Sequence, residues 1–265
     1  MNQELKASRI EELGKVWTPE TNWRIPTVMG EVTFVFPAFG PNFRNEVVEQ
    51  VLANKQRLPM GEQSAFMLDE AYNSTDEDVK NSPRTEFVRK NIMYRGWLWV
   101  PNVNVWTPRN ISNPGMYTVF DENGEDLAKE RSVAELEDRL SGGSTEKGVR
   151  FSKDREVAFS PLGLIKKEYH EKGTLSQDGA FIANYGVEGS EKLDAVAKAF
   201  SFRPYSWIVE NTTDKPIQTL SALHGRRYVV GDRLFAYFNS KGTWGGYVLP
   251  VSCSSLSAEG TAPKN

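Results

Sequence analysis

The chain has 265 residues, of which 39% are hydrophobic and 11% aromatic, and this composition excludes an intrinsically disordered protein. Its 32 Lys and Arg against 35 Asp and Glu give a formal charge of −3, which argues against general nucleic-acid binding, because phosphate contacts need a basic excess. One cysteine excludes an internal disulfide framework and, together with only two histidines, argues against a structural metal site.

The amino-terminal residues are polar and charged, and they contain no apolar stretch of the kind that a secretory signal requires. No apolar run approaches the ~20 residues that a helix needs to cross a bilayer. We therefore expect a soluble protein that works in the cytoplasm, without a membrane partner and without a cofactor.

The first 93 residues are expected to be mainly helical. Apolar residues recur at helical spacing in the first segment, and a β-branched and aromatic run that stops at Gly40 predicts an intervening strand. The predicted helices cover residues 3–16, 41–55, 62–72 and 83–92, and Pro41 suits the first position of the second of them.

Strands separated by turn signals dominate the rest of the chain. The pair Asn123 and Gly124 predicts a tight turn, because both residues tolerate positive φ. Ser132 and Glu135 have the spacing of a capping box, which opens the first of two short helices. The second short helix is predicted over residues 190–200.

Regularly spaced β-rich runs over residues 205–251 predict an antiparallel meander of about five strands. The expected fold class is therefore α+β: a helix-rich amino-terminal third, followed by a mainly antiparallel sheet with two short helices and the meander. Residues 1–253 are expected to form a single domain, with residues 1–93 as the alternative candidate for a helical subdomain. A flexible tail is expected over residues 254–265.

The densest aromatic stretch, RGWLWVPNVNVWTP over residues 95–108, contains three tryptophans. Alternation along a strand places Trp97 and Trp99 on an almost wholly apolar face and Trp106 on the opposite face. We expect the first two rings in the core and Trp106 to be the ring most exposed to solvent. The alternative is a platform on which a sugar or base stacks while amides bond its edges. The residues of that platform are Trp106, Asn102 and Asn104.

Two further stretches supply candidate binding residues. LHGRRY places His224, Arg226 and Arg227 at a predicted strand-to-strand turn, where two guanidinium groups could hold a phosphate or carboxylate. The competing interpretation is an exposed polar turn. KGTWGGY surrounds Trp244 with glycines but lacks the residue order of a phosphate-binding loop.

The sequence signals for catalytic residues are weaker than those for binding residues. Glu62 and Asp69 are seven residues apart, so they share a helix face and could act as an acid and a base, although surface carboxylates in this pattern are commoner. No nucleophile elbow occurs, and Cys253 has no histidine close in sequence, so we expect it to be a small residue at a strand end.

No family is identified from these motifs. The leading interpretation is a non-enzymatic binding or interaction protein that presents aromatic and arginine side chains from an antiparallel sheet to a small molecule or a protein. One alternative is an enzyme acting on a phosphorylated or glycosidic substrate, for which a deep pocket should bring His224 or a perturbed carboxylate to the arginines. The other is a structural subunit of a homo-oligomer, for which a broad apolar patch should close on itself.

Overall fold

The computed structural model describes residues 22–28, 30–125, 127–210 and 214–252. The predicted helix over residues 3–16, the predicted tail and Cys253 lie outside these ranges. Within them the chain forms six α-helices and thirteen strands.

The helices are α1 (Arg44–Ala53), α2 (Gly61–Asn73), α3 (Glu77–Lys80), α4 (Pro83–Phe87), α5 (Val133–Leu140) and α6 (Gly179–Lys198), and a π-helical segment (Val88–Met93) follows α4. The strands are β1 (Trp23–Thr27), β2 (Gly30–Phe34), β3 (Phe39–Asn42), β4 (Leu98–Trp106), β5 (Gly115–Phe120), β6 (Ser144–Glu146), β7 (Val149–Phe151), β8 (Val157–Pro161), β9 (Glu168–Tyr169), β10 (Tyr205–Trp207), β11 (Ile217–Tyr228), β12 (Gly231–Ser240) and β13 (Gly246–Val248). Among the described residues, no helix is both long enough and apolar enough to cross a membrane.

Eleven of the strands belong to one mixed sheet. Its order is β6-β7-β8-β5-β4-β11-β12-β10-β9, and β3 and β13 join it beside β4. Neighbouring strands are antiparallel except for two pairs, β10 with β12 and β13 with β4, which are parallel. β1 and β2 form a separate antiparallel hairpin.

The expected fold class is wrong in two respects. The helices are not concentrated in the first third of the chain: the longest, α6, lies in the second half, and the first 93 residues contain β1, β2 and β3. The sheet is mixed rather than mainly antiparallel. Turn signals report only on strands that are joined by a hairpin, whereas parallel partners are brought together by long crossovers that leave no local signal.

The carboxyl-terminal segment is not a five-stranded meander either. β11 runs unbroken through two of the predicted strands and forms a hairpin with β12. The residues interpreted as a turn lie inside β11, where the missing side chain of Gly225 leaves room for the ring of Phe200. β10 pairs in parallel with β12, and β13 leaves the segment to pair with β3 and β4.

The capping box expected at the start of α5 does not form. Ser132 occupies the N-cap position, but its side chain makes no capping hydrogen bond. The turn expected before it is present, since Gly124 has a φ of 65° and its N–H donates to the carbonyl of Asp121. The residue types around Ser132 therefore predicted where the helix begins, but they did not predict its capping hydrogen bonds.

β4 lies at the centre of the sheet and is buried along its whole length. Its side chains alternate between the two faces as expected: Leu98, Val100 and Trp106 join the core that contains residues of α2 and α6. On the opposite face, Trp99 packs with residues of α1. The sheet is thus enclosed by a helical layer on each side at β4.

Burial confirms the prediction for Trp99 and contradicts it for the other two rings. Trp106, expected to be the exposed ring, packs in the core and is only 1% exposed. Its Nε1–H donates to Thr219 Oγ1 at 3.0 Å and to the carbonyl of Phe238 at 3.2 Å. An indole whose N–H is hydrogen-bonded within the protein can be buried without losing a hydrogen bond to water. Trp97 precedes β4 and is only partly buried.

Truncation of the central rings should destabilise the protein far more than truncation of a surface ring. We expect Trp99→Ala and Trp106→Ala each to lower the free energy of unfolding by roughly 3–5 kcal/mol, because each leaves a cavity in a packed core. Trp207→Ala, at an exposed position, should cost less than about 1 kcal/mol. Urea denaturation measures the three values, and equal losses would contradict the assignment of the two buried rings.

Candidate functional site

One face of the sheet is covered by helices over only part of its width. On this face α1 packs against Trp99, and α5 packs against Val105. The face continues across β11, β12, β10 and β9, where rings and guanidinium groups take the place of helices. We call this uncovered surface the aromatic face. Its residues are Trp97, Tyr169, Tyr205, Trp207, His224, Arg226, Tyr228, Arg233, Phe235, Tyr237 and Trp244.

Strand register assembles the aromatic face. β11 and β12 place His224 opposite Phe235, and residues directly opposed on neighbouring strands project from the same side of a sheet. β10 then places Tyr205 beside Phe235 and Trp207 beside Tyr237. The intervening residues of β12 enter the core on the other side, as the two-residue repeat of a strand requires.

The rings of the aromatic face contact one another in a continuous series. Trp97 lies at its centre, with ring centroids at 4.3 Å from Tyr237, 4.9 Å from His224 and 5.9 Å from Trp244. Tyr237 continues the series to Trp207 at 6.1 Å, with the two ring planes 16° apart. These separations are those of favourable aromatic pairs, so the rings hold one another in place.

The outer rings of the series are open to solvent. The exposed fractions are 43% for Trp207, 50% for Tyr169 and 59% for Trp244. Isolated exposed apolar side chains are ordinary, but a contiguous group of large rings is typical of a binding site. The aromatic face therefore has the exposure of a recognition surface rather than of a core.

Two arginines lie at the end of the aromatic face where β11 turns into β12. Arg226 and Arg233 are directly opposed in the hairpin, and their guanidinium carbons lie 5.3 Å from the ring of Tyr228 and 4.8 Å from that of Tyr169, respectively. Among the described residues neither arginine forms a salt bridge, and the Nε atom of Arg233, which is buried, has no hydrogen-bond partner. Like charges opposed across two strands repel, so this pair carries an electrostatic cost.

His224 supplies a neutral polar group between the rings. Burial beneath the neighbouring side chains lowers its pKa to about 4, and the positive charge of Arg226 acts in the same direction. The imidazole is therefore uncharged at neutral pH and has one donor and one acceptor nitrogen. The positive charge of the aromatic face comes from its arginines.

The structure brings three of the predicted binding residues together: His224, Arg226 and Trp244 all belong to the aromatic face. Arg227 projects from the opposite side of β11, because its neighbours Arg226 and Tyr228 project from this one.

Trp106, Asn102 and Asn104 lie on the other side of the sheet, and all three are buried.

Those two asparagines belong to a buried hydrogen-bond network that joins β4 to α6. Asn102 Nδ2 donates to the carbonyl of Asn184 at 2.9 Å, and Asn104 Nδ2 donates to Ser221 Oγ at 2.8 Å. Ser221 Oγ in turn donates to Asn184 Oδ1 at 2.6 Å. Buried amides that are satisfied in this way fix one packing arrangement, so the role of these asparagines is structural.

Most residues of the aromatic face were not predicted from the sequence. In RLFAYF, alternation alone places Arg233, Phe235 and Tyr237 on one side of a strand, and this signal was available. No local signal indicates that Tyr205 and Trp207 belong to the same surface, since their position depends on the parallel pairing of β10 with β12.

The candidate acid–base pair does not come together. Glu62 lines a cavity of about 30 Å³ beside Gly186, where α6 kinks with a φ of 69°, and burial raises the pKa of its carboxyl to about 7. Asp69 lies about 10 Å further along α2, where Lys192 binds it at 2.8 Å. The cavity has room for only one or two waters.

Among the described residues no group of three or more His, Cys, Asp or Glu side chains is placed to hold a metal ion.

No family model matches the chain, and no curated protein matches it. One solved structure is similar, described as "Accommodation of massive sequence variation in Nanoarchaeota by the C-type lectin fold". The TM-score is 0.46 at 11% sequence identity, over 89% of this chain and 97% of that chain. A likeness at this level does not establish a shared fold.

The neutral state of His224 should be visible in its titration. Because its folded-state pKa of about 4 lies below the ordinary 6.5, the unfolded chain takes up the proton first as the pH falls. The contribution of His224 to stability is therefore complete above pH 6.5 and is lost as the pH falls towards 4. NMR of the imidazole protons, assigned with His224→Gln, should show no titration of this ring between pH 7.5 and about 5. A midpoint near 6.5 would show that the ring is solvated instead.

Proposed function

We propose that this chain is a binding protein and that the aromatic face is its recognition surface. The observation that supports this proposal is the contrast within one face of the sheet. Helices cover it at β4, whereas over β10 to β12 a contiguous set of rings, including the exposed Trp207, stays in contact with water. Leaving such rings uncovered costs hydrophobic free energy that a bound partner would recover.

The chemistry of the aromatic face supports binding over catalysis. The charge that acts on His224 is that of Arg226, and among the described residues no carboxylate bonds to its imidazole. Burial raises the pKa of two described carboxyl groups towards neutrality, and both belong to the other side of the sheet: Glu62, with a pKa of about 7, lines the small cavity next to α6, and Asp178, with a pKa of about 6, is the N-cap residue of α6. A general base and an anion-binding arginine pair are therefore on separate surfaces, contrary to the geometry expected of an enzyme.

The residue types of the aromatic face also support a partner other than a second copy of the chain. Trp, Tyr and Arg are the residues that contribute most to binding energy at protein interfaces. Self-association about a two-fold axis at the arginine pair would bring Arg226 and Arg233 of both copies together, and burying four like charges at one place is costly. We therefore favour a different molecule as the occupant over the homo-oligomer.

Removal of two exposed rings should abolish recognition without unfolding the protein. The wild-type chain and the variant Trp207→Ala/Trp244→Ala are to be compared on arrays of peptides, glycans and single-stranded oligonucleotides. We expect at least one class of ligand to bind the wild type and to bind the variant at least about tenfold more weakly, because exposed tryptophan rings that a partner buries can each contribute well over 1 kcal/mol.

The matched control is Val28→Ala/Ile111→Ala, which truncates two exposed apolar residues outside the aromatic face. This variant should bind as the wild type does. Ligands that bind both double variants equally well, or the absence of any ligand on the three arrays, would contradict the proposed function.

A further inference from the structure

We propose that Arg226 and Arg233 form a carboxylate-binding subsite of the aromatic face, and that the occupant of the face is an acidic segment of a protein partner. This inference rests on the proposed function, since it identifies the ligand of the same surface. It starts from the two guanidinium groups opposed across the β11–β12 hairpin.

Neither arginine of this surface is neutralised by a carboxylate among the described residues. Two cations at its border are paired in contrast: Arg203 binds Glu171 at 2.5 Å, and Lys167 lies 3.7 Å from Glu210. Arg226 and Arg233 have no such partner among the described residues, although their side chains start only about 5 Å apart as a directly opposed pair. An anion placed between them removes the repulsion and gains two attractions.

The geometry around the pair favours a carboxylate. Each guanidinium lies over a tyrosine ring, Arg226 over Tyr228 and Arg233 over Tyr169, and this contact restricts its motion. A restricted guanidinium presents parallel N–H donors that match the two oxygens of a carboxylate. The neighbouring His224, which is neutral, adds polarity without a competing charge.

The length of the charged region favours a peptide over a polyanion. A nucleic acid needs a succession of cations along its backbone, but beyond the arginine pair the aromatic face continues as rings and ends near Glu168 and Glu210. A peptide needs only one or two carboxylates at the pair, while its apolar side chains cover Trp207 and Tyr237. The charge and the rings of the face thus match an acidic peptide with apolar residues.

Peptide selection tests this assignment. A displayed library of random twelve-residue peptides is to be selected against the full chain, and the most enriched peptide is to be synthesised for affinity measurement. We expect Asp and Glu to be enriched among the selected sequences. The dissociation constant of the synthesised peptide should rise at least about tenfold for Arg226→Gln/Arg233→Gln, because charge-assisted hydrogen bonds are lost.

Two further variants separate specific from general effects. Arg226→Lys/Arg233→Lys keeps the charge but loses the planar donors, and its affinity should fall between those of the wild type and the glutamine variant. Arg227→Gln removes one positive charge from the opposite side of the same hairpin, and it should bind as the wild type does, whereas Arg226→Gln alone should weaken binding.

Each outcome decides between the two proposals. Selected peptides without acidic enrichment, bound equally by the wild type and by Arg226→Gln/Arg233→Gln, would overturn the carboxylate subsite and leave the proposed function intact. Acidic peptides that bind Trp207→Ala/Trp244→Ala as tightly as the wild type would contradict the aromatic face itself. A library that yields no binder, or an oligonucleotide bound more tightly than any peptide, would overturn the assignment of an acidic peptide.

Discussion

The burial of β4 between two helical layers is the constraint on which the rest of the structure depends. Trp99 packs under α1 on one side, while Trp106 joins the core formed with α2 and α6 on the other. The sheet continues past these helices in the direction of β9, so one of its faces is left without a cover. Aromatic rings that contact one another occupy this uncovered part of the sheet. They form the aromatic face, from which we infer a function.

The two faces of the sheet use polar groups in opposite ways. On the covered side, the amides of Asn104 and Asn184 are satisfied within the protein and fix the position of α6. On the aromatic face, the guanidinium groups of Arg226 and Arg233 are held in place by rings but lack anionic partners among the described residues. Satisfied polar groups contribute to a unique fold, whereas unsatisfied ones at a surface are free to contribute to recognition.

Local patterns predicted those parts of the molecule that depend on local contacts. The helices predicted over residues 41–55 and 62–72 correspond to α1 and α2, except that Pro41 lies in β3 and α1 begins only at Arg44. Alternation correctly divided the side chains of β4 between two faces. The burial of Trp106 could not be predicted, because the groups that satisfy its indole N–H, Thr219 and Phe238, are more than a hundred residues away. For the same reason the sequence indicated single binding residues, such as Trp244, but not the surface that strand pairing builds from them.

Solvent exposure of individual tryptophans tests the central claim most directly. In protein labelled with 5-fluorotryptophan and assigned by Trp→Phe substitution, a soluble paramagnetic agent should broaden the ¹⁹F resonances of Trp207 and Trp244 and leave those of Trp99 and Trp106 sharp. A bound ligand should then protect the first two resonances from broadening. Equal broadening of all four resonances, or protection confined to Trp99 and Trp106, would contradict the division of the sheet into a covered part and an aromatic face.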